Sequence, residues 1–192
     1  QINGGGSFIK DGTGVLTLTN TNGFTGDLQV TGGGGTGGLT VSGAGTLAAA
    51  GITIDANSTL STDGSALDTN ASIFNSGTLA ITGGSETVNL VTGTGNVSLN
   101  TGSLTLDSGI SNISGVISGS GDFTVTGGSI TTLTNTNTYT GTTAVSGGEL
   151  NVNGAGSIAS TVISVTGGEL STDGGALADR LDLRGMADEV VA

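Results

Sequence analysis

The sequence predicts an all-β solenoid, a rod of about nine or ten stacked coils at the roughly 20 residues per coil usual for such repeats. Three observations lead there. Pairs of aliphatic residues two positions apart recur along the chain between glycine-rich turns, which is a strand signal. Whole stretches recur with their aromatic, glycine and aliphatic positions in fixed order, as stacked supersecondary units do. With 39 Gly among 192 residues, no Pro, Cys, His or Trp, and aromatics at 3%, the chain cannot fill a broad core, yet its 34% hydrophobic content exceeds that of a disordered segment. A sandwich or barrel would alternate apolar with polar residues but would rarely repeat its turns and core positions so closely.

Residues 1–14 are glycine-rich, with Phe8 and Ile9 ahead of an Asp11-Gly12 turn. Leu16 and Leu18 open the paired pattern, which continues through Leu28/Val30, Leu39/Val41, Ile52/Ile54, Leu79/Ile81, Val88/Leu90, Val97/Leu99, Leu104/Leu106, Phe123/Val125, Leu150/Val152 and Ile163/Val165. Side chains of a strand alternate between faces, so Leu18, Val30, Val41, Val145, Val152 and Val165 are expected to point into the rod. Turn formers such as Gly32-Gly33-Gly34-Gly35, Gly43-Ala44-Gly45, Asp63-Gly64, Gly83-Gly84 and Gly127-Gly128 separate the pairs. No stretch through residue 177 carries an apolar stripe at helical spacing, and the abundant Thr, Val and Ile suit strands.

A longer duplication overlies the short pattern. Leu18-Thr19-Asn20-Thr21-Asn22-Gly23-Phe24-Thr25-Gly26 matches Leu133-Thr134-Asn135-Thr136-Asn137-Thr138-Tyr139-Thr140-Gly141, with Val30 and Val145 following at the same distance. LTVSGAGTL from Leu39 matches LNVNGAGSI from Leu150, and LSTDGSAL from Leu60 matches LSTDGGAL from Leu170. Residues 1–192 are therefore read as one solenoid with an internal duplication, about 13–68 and 127–177. Phe24 and Tyr139 are expected at equivalent places, and Asp63-Gly64 and Asp173-Gly174 at equivalent turns. The tail 178–192 reads as a further partial coil, since Leu181, Leu183 and Gly185 align with Leu79, Ile81 and Gly83. That coil would leave a stacking edge open at Ala192.

Fifteen acidic residues against three basic ones give a net charge of −12, and Lys10, Arg180 and Arg184 are scattered, so a nucleic acid partner is excluded by repulsion. No run of about 20 apolar residues is present, so direct membrane insertion of this segment is not expected. Gln1 does not begin a signal peptide, so an exported chain would be a processed or trimmed form. Without His or Cys there is no Ser-His-Asp or Cys-His arrangement and no imidazole or thiolate metal site, so no cofactor or metal is expected. Carboxylates alone remain for chemistry. Asp63 with Asp68, or Glu149 with Glu169, are the pairs that a glycoside hydrolase or lyase could use across coils. The simpler reading makes them turn and edge charges that oppose sideways aggregation.

The stretch from Gly127 to Ile158, GGSITTLTNTNTYTGTTAVSGGELNVNGAGSI, resembles the autotransporter-associated β-strand repeat. Asn137, Thr138, Tyr139, Thr140, Gly141, Thr143, Val145, Gly148 and Leu150 carry the likeness. The earlier copy is looser, with Gly23 and Phe24 in the Thr and Tyr positions. The resemblance covers residues 13–47 and 127–158 strongly. It implies a right-handed parallel β-helix passenger of a type V secreted bacterial protein, displayed at or released from the cell surface, without the outer-membrane barrel of that family. The residues that define the repeat are Leu18, Asn22, Phe24, Gly26, Val30, Leu133, Asn137, Tyr139, Gly141, Val145, Leu150 and Val152.

The functional expectation is a non-catalytic adhesin, stalk or self-associating extracellular scaffold, whose partners are a glycan, a cell-surface receptor or another copy joined end to end. An ice-binding solenoid is the rival, because Thr134, Thr136 and Thr138 form a Thr-x-Thr-x-Thr run. Ice binding needs such runs on adjacent coils, and the two strong copies lie more than 100 residues apart.

Overall fold

The computed structural model describes residues 1–173, so the expectations for Gly174, the tail 178–192 and its open edge lie outside the described residues. The chain winds as a three-faced solenoid in which every strand pair is parallel.

The first face is a nine-stranded sheet: Phe8–Lys10, Leu28–Val30, Gly51–Ile54, Ser72–Asn75, Leu90–Gly93, Ile110–Ile113, Ile130–Leu133, Glu149–Val152 and Glu169–Thr172. The second face runs from Val15–Leu18 through Gly37–Val41, Ser58–Thr62, Thr78–Ile81 and Asn96–Leu99 to Ile117–Gly119, then through Thr136–Asn137 to Ser157–Ile158. The third face stacks Asn3–Gly4, Thr21–Phe24 and Thr46–Leu47, and resumes with Ser85–Val88, Ser103–Leu106, Phe123–Val125, Thr142–Val145 and Val162–Val165. These make about eight full coils and the first strand of the next, slightly fewer than the nine or ten expected from chain length. Coils are also uneven, from 18 residues between Ile73 and Val91 to 25 between Asn22 and Leu47. At about 4.8 Å per coil the described rod is roughly 40 Å long.

Alternation explains the core. Along the first face Leu28, Ile52, Ile73, Val91, Leu150 and Leu170 form one inward row, and Val30, Ile54, Ile113, Leu133 and Val152 another, all buried. Val41, Val145 and Val165 are also buried, whereas Leu18 in the first coil is only partly so. Like mostly stacks on like, with buried polar interruptions: Ser111 and Thr131 stand between Val91 and Leu150 in the first row, and Asn75 follows Ile54 in the second. The pair Val88/Leu90 does not point one way, because the corner at Asn89 falls between its members. Val88 ends a strand on the third face facing inward, while Leu90 opens the next strand on the outer surface, and Val91 takes the inward place.

Two places depart from regular stacking. In the second coil residues 32–36 loop out between the first two faces, with Gly33 and Gly34 at φ 58° and 93°. In the third coil residues 63–71 cross the third face without forming a strand. That crossing includes Ser65 at φ 54° and is tied to the coil before it by the Ala66 carbonyl, which accepts from Leu47 N at 2.7 Å.

The repeat cores and the outward surface

The duplicated segments build the same interior. Asn22 Oδ1 accepts from Ile2 N at 2.8 Å, while its Nδ2 donates to the carbonyls of Asn20 and Thr46. Asn137 Oδ1 accepts from Ile117 N at 2.9 Å, and its Nδ2 donates to the carbonyls of Asn135 and Ser157. Each buried amide therefore ties its own coil to the coils on both sides, satisfying backbone groups at a corner where the strand ladder stops. Phe24 lies 5.5 Å from Phe8 between ring centroids, and Tyr139 lies 6.0 Å from Phe123. Both members of the Phe24/Tyr139 pair are buried two residues past the asparagine. Gly26 and Gly141 then lie against Gly6 and Gly121, where an added Cβ would come within 2.5 Å and 2.2 Å of backbone atoms. Only glycine fits such an approach.

One difference inside the repeat is chemical. Phe24 has the buried Leu28 four residues on, whereas Tyr139 has Thr143 there, and the two hydroxyls share a 2.6 Å hydrogen bond. Burial pushes the Tyr139 phenol well above its ordinary pKa, with the Thr143 contact opposing weakly, so the group stays neutral.

The other difference is positional. From Phe8 to Val30 the two copies are offset by 115 residues, which is not a whole number of coils, and from Leu39 onward by 111 or 110. Phe8 and Leu28 lie on the first face, but Phe123 and Thr143 lie on the third. Leu16 and Leu18 are on the second face, and their counterparts Thr131 and Leu133 on the first. The repeat is thus rotated by one face between copies.

The aspartates of the duplicated Asp-Gly turns act across coils. Asp63 Oδ2 accepts from Gly43 N at 2.7 Å, and Asp173 Oδ2 accepts from Gly154 N, with Gly43 and Gly154 both at φ 65°. Asp68 accepts from Asn70 N at 2.8 Å within its own turn. Asp63 and Asp68 are therefore held in separate turn networks, while Glu149 and Glu169 are direct neighbours on adjacent strands of the first face. The Thr134, Thr136, Thr138 run bends at a corner: Thr134 follows a first-face strand and Thr136 begins a second-face strand. Among the described residues no three acidic side chains converge as metal ligands would.

One buried group was invisible in the sequence. Glu86 is fully enclosed on the third face, in register with Leu104. Its carboxylate accepts from Ala66 N at 3.0 Å and Leu67 N at 3.2 Å, the donors left over where residues 63–71 interrupt the sheet. Desolvation raises its pKa above the ordinary glutamate value; the two backbone hydrogen bonds oppose that rise and nearby Asp63 adds to it. The Thr62 hydroxyl also favours the charge but lies outside hydrogen-bond geometry, and it is left buried without a partner.

Comparison with protein families places this geometry. Residues 8–34 and 123–152 match the passenger-associated-transport-repeat model. Comparison with curated proteins and with solved structures finds no match. The two matched segments are the ones that carry Phe8, Asn22 and Phe24 and, in the second copy, Phe123, Asn137 and Tyr139. That repeat family implies an exported or surface protein and is generally structural rather than catalytic. The chain is a parallel β-solenoid that carries passenger-associated transport repeats, the repeats of autotransporter passengers, at residues 8–34 and 123–152.

Proposed function

We propose that this chain is the non-catalytic shaft of an exported passenger, acting at the cell surface or after release as an adhesive scaffold for glycans, a surface receptor or further copies of itself. The supporting observation is the chemistry of its outward rows. Thr17, Thr40, Ser61, Ala80, Ser98 and Ser118 stack in register on the second face, and Thr87, Thr105, Thr124, Ala144 and Ser164 on the third. Such rows offer many equal hydroxyls at coil spacing, which suits weak contacts multiplied along a rod. The test is adhesion of beads carrying the chain at graded density to glycan-coated and epithelial-cell surfaces. Retention should climb more steeply than density, and beads held no better than uncoated ones on every surface would overturn the reading.

A further inference from the structure

We propose that the first face carries a docking surface for a basic amphipathic helix laid along the rod axis. Leu90, Ile110 and Ile130 occupy the same outward row on three successive coils. Ile110 and Ile130 are paired directly, and Leu90 holds the place before Ile110 by the register of Thr92 with Asn112. Ile110 is 68% exposed and Ile130 41%. Phe74, 55% exposed, stands in the adjoining row one coil earlier, beside Thr92. The same row then continues into Glu149 and Glu169 on the next two coils. The only basic side chain among the described residues is Lys10, which is buried in the first coil with its ammonium on the Gly12 carbonyl. An apolar strip that runs into two like charges, with no counter-charge among the described residues, calls for an occupant with aliphatic residues at one end and cations at the other.

Spacing selects the secondary structure of that occupant. Coils repeat every ~4.8 Å, and a helix advances ~5.4 Å per turn. Aliphatic residues at i, i+3 or i+4 and i+7 would set one side chain over each of Leu90, Ile110 and Ile130, and Lys or Arg in the next two turns would reach Glu149 and Glu169. An extended strand lying alongside the coil strands would meet one coil only. A second copy of the rod is disfavoured by charge. Parallel rods would bring Glu149 and Glu169 onto their own equivalents, and antiparallel rods centred on Leu90 and Ile110 would bring Glu169 towards Asp27. Three exposed apolar side chains and the half-buried Leu90 also fall far short of the ~800 Å² per partner of a stable dimer.

The proposal extends the scaffold reading, which requires no helix-binding face and is tested separately by adhesion. Its probe is a synthetic helical peptide of about 18 residues, five turns, carrying Leu on three successive turns and Lys on the next two. A control peptide replaces each Leu by Ser. Titrated into the complete chain by calorimetry, the first should bind with a Kd on the order of micromolar and the control at least tenfold more weakly. Ile110→Thr with Ile130→Thr should weaken binding about tenfold. Glu149→Gln with Glu169→Gln should weaken it several-fold and flatten its salt dependence. Because all four side chains face outward, melting temperatures should stay within a few degrees of the parent, and circular dichroism checks each variant. Equal binding of both peptides, or undiminished binding to the Ile110→Thr/Ile130→Thr chain, would overturn the proposal by revealing general attraction to an acidic rod. So would sedimentation showing a dimer that the isoleucine variant abolishes.

Discussion

The two repeat copies share an interior and differ in which face bears it. Asn22 and Asn137 have matching sets of three backbone partners, and the ring pairs are similar, yet one copy turns from the second face to the third where the other turns from the first to the second. The repeat therefore specifies a corner: a strand, a bend pinned by a buried amide, and an aromatic plug. The three faces are close to interchangeable hosts for that corner, because each presents the same period-two alternation to the same narrow core.

The amide should be the costliest part to remove. Asn137→Ala strips partners from Ile117 N and the carbonyls of Asn135 and Ser157, and should cost about 2–4 kcal/mol in urea melts, since buried backbone groups would be left unsatisfied. Asn22→Ala removes the equivalent three bonds and should cost a similar amount. Markedly unequal losses at the two sites would contradict the picture of one corner used twice.

Val152→Ala comes next, at about 1–3 kcal/mol for a buried side chain stacked between Leu133 and the following coil. A loss near zero would mean that the neighbouring coils close the gap, a plasticity that stacked aliphatics should not have.

Tyr139→Phe isolates the chemical difference between copies. It leaves the Thr143 hydroxyl buried without its 2.6 Å partner and should cost about 1–2 kcal/mol. Adding Thr143→Leu recreates the Phe24/Leu28 pair and should recover much of that loss. Additive costs in this double-mutant cycle would show the two side chains to be uncoupled.

The smallest expected effect is the pH response at Glu86. Its folded pKa is raised above the ordinary 4.5, so the native state holds this proton more tightly than the unfolded chain does. The resulting stabilisation is complete below the unfolded value and is lost as pH rises through the folded one. The difference in melting temperature between the parent and Glu86→Gln should therefore change across the interval just above pH 4.5, with the parent gaining on acidification. Parallel curves for the two proteins through that interval would show that Glu86 does not titrate there.

Much of this was legible in the sequence, and the exceptions share a cause. Alternation gave the inward rows, and the ordered recurrence of Asn, aromatic and Gly aligned Asn22 with Asn137 and Phe24 with Tyr139. Face assignment was not legible, because coils range from 18 to 25 residues and an offset of 115 cannot be divided into turns without knowing each corner. Leu90 looked like the partner of Val88 for the same reason, since spacing alone does not show a corner at Asn89. Glu86, set among Gly, Ser and Thr, reads as a solvated turn residue. Its burial follows from the strandless crossing one coil earlier, a relation between segments 20 residues apart rather than a local pattern.

The third-of-a-turn rotation between copies also bears on how such a gene could change length. Homologous exchange between the two copies would excise 115 residues, the step from Phe8 to Phe123, and join the upstream half of one corner to the downstream half of its twin. The seam would be chemically seamless, since the amide, the ring and the close-packed glycine recur on both sides of it. Everything downstream would nonetheless be reset by about 120° around the shaft, swinging whatever it displays toward a different side of its surroundings. Unequal crossing-over in this chain is thus a means of re-aiming a surface without redesigning it.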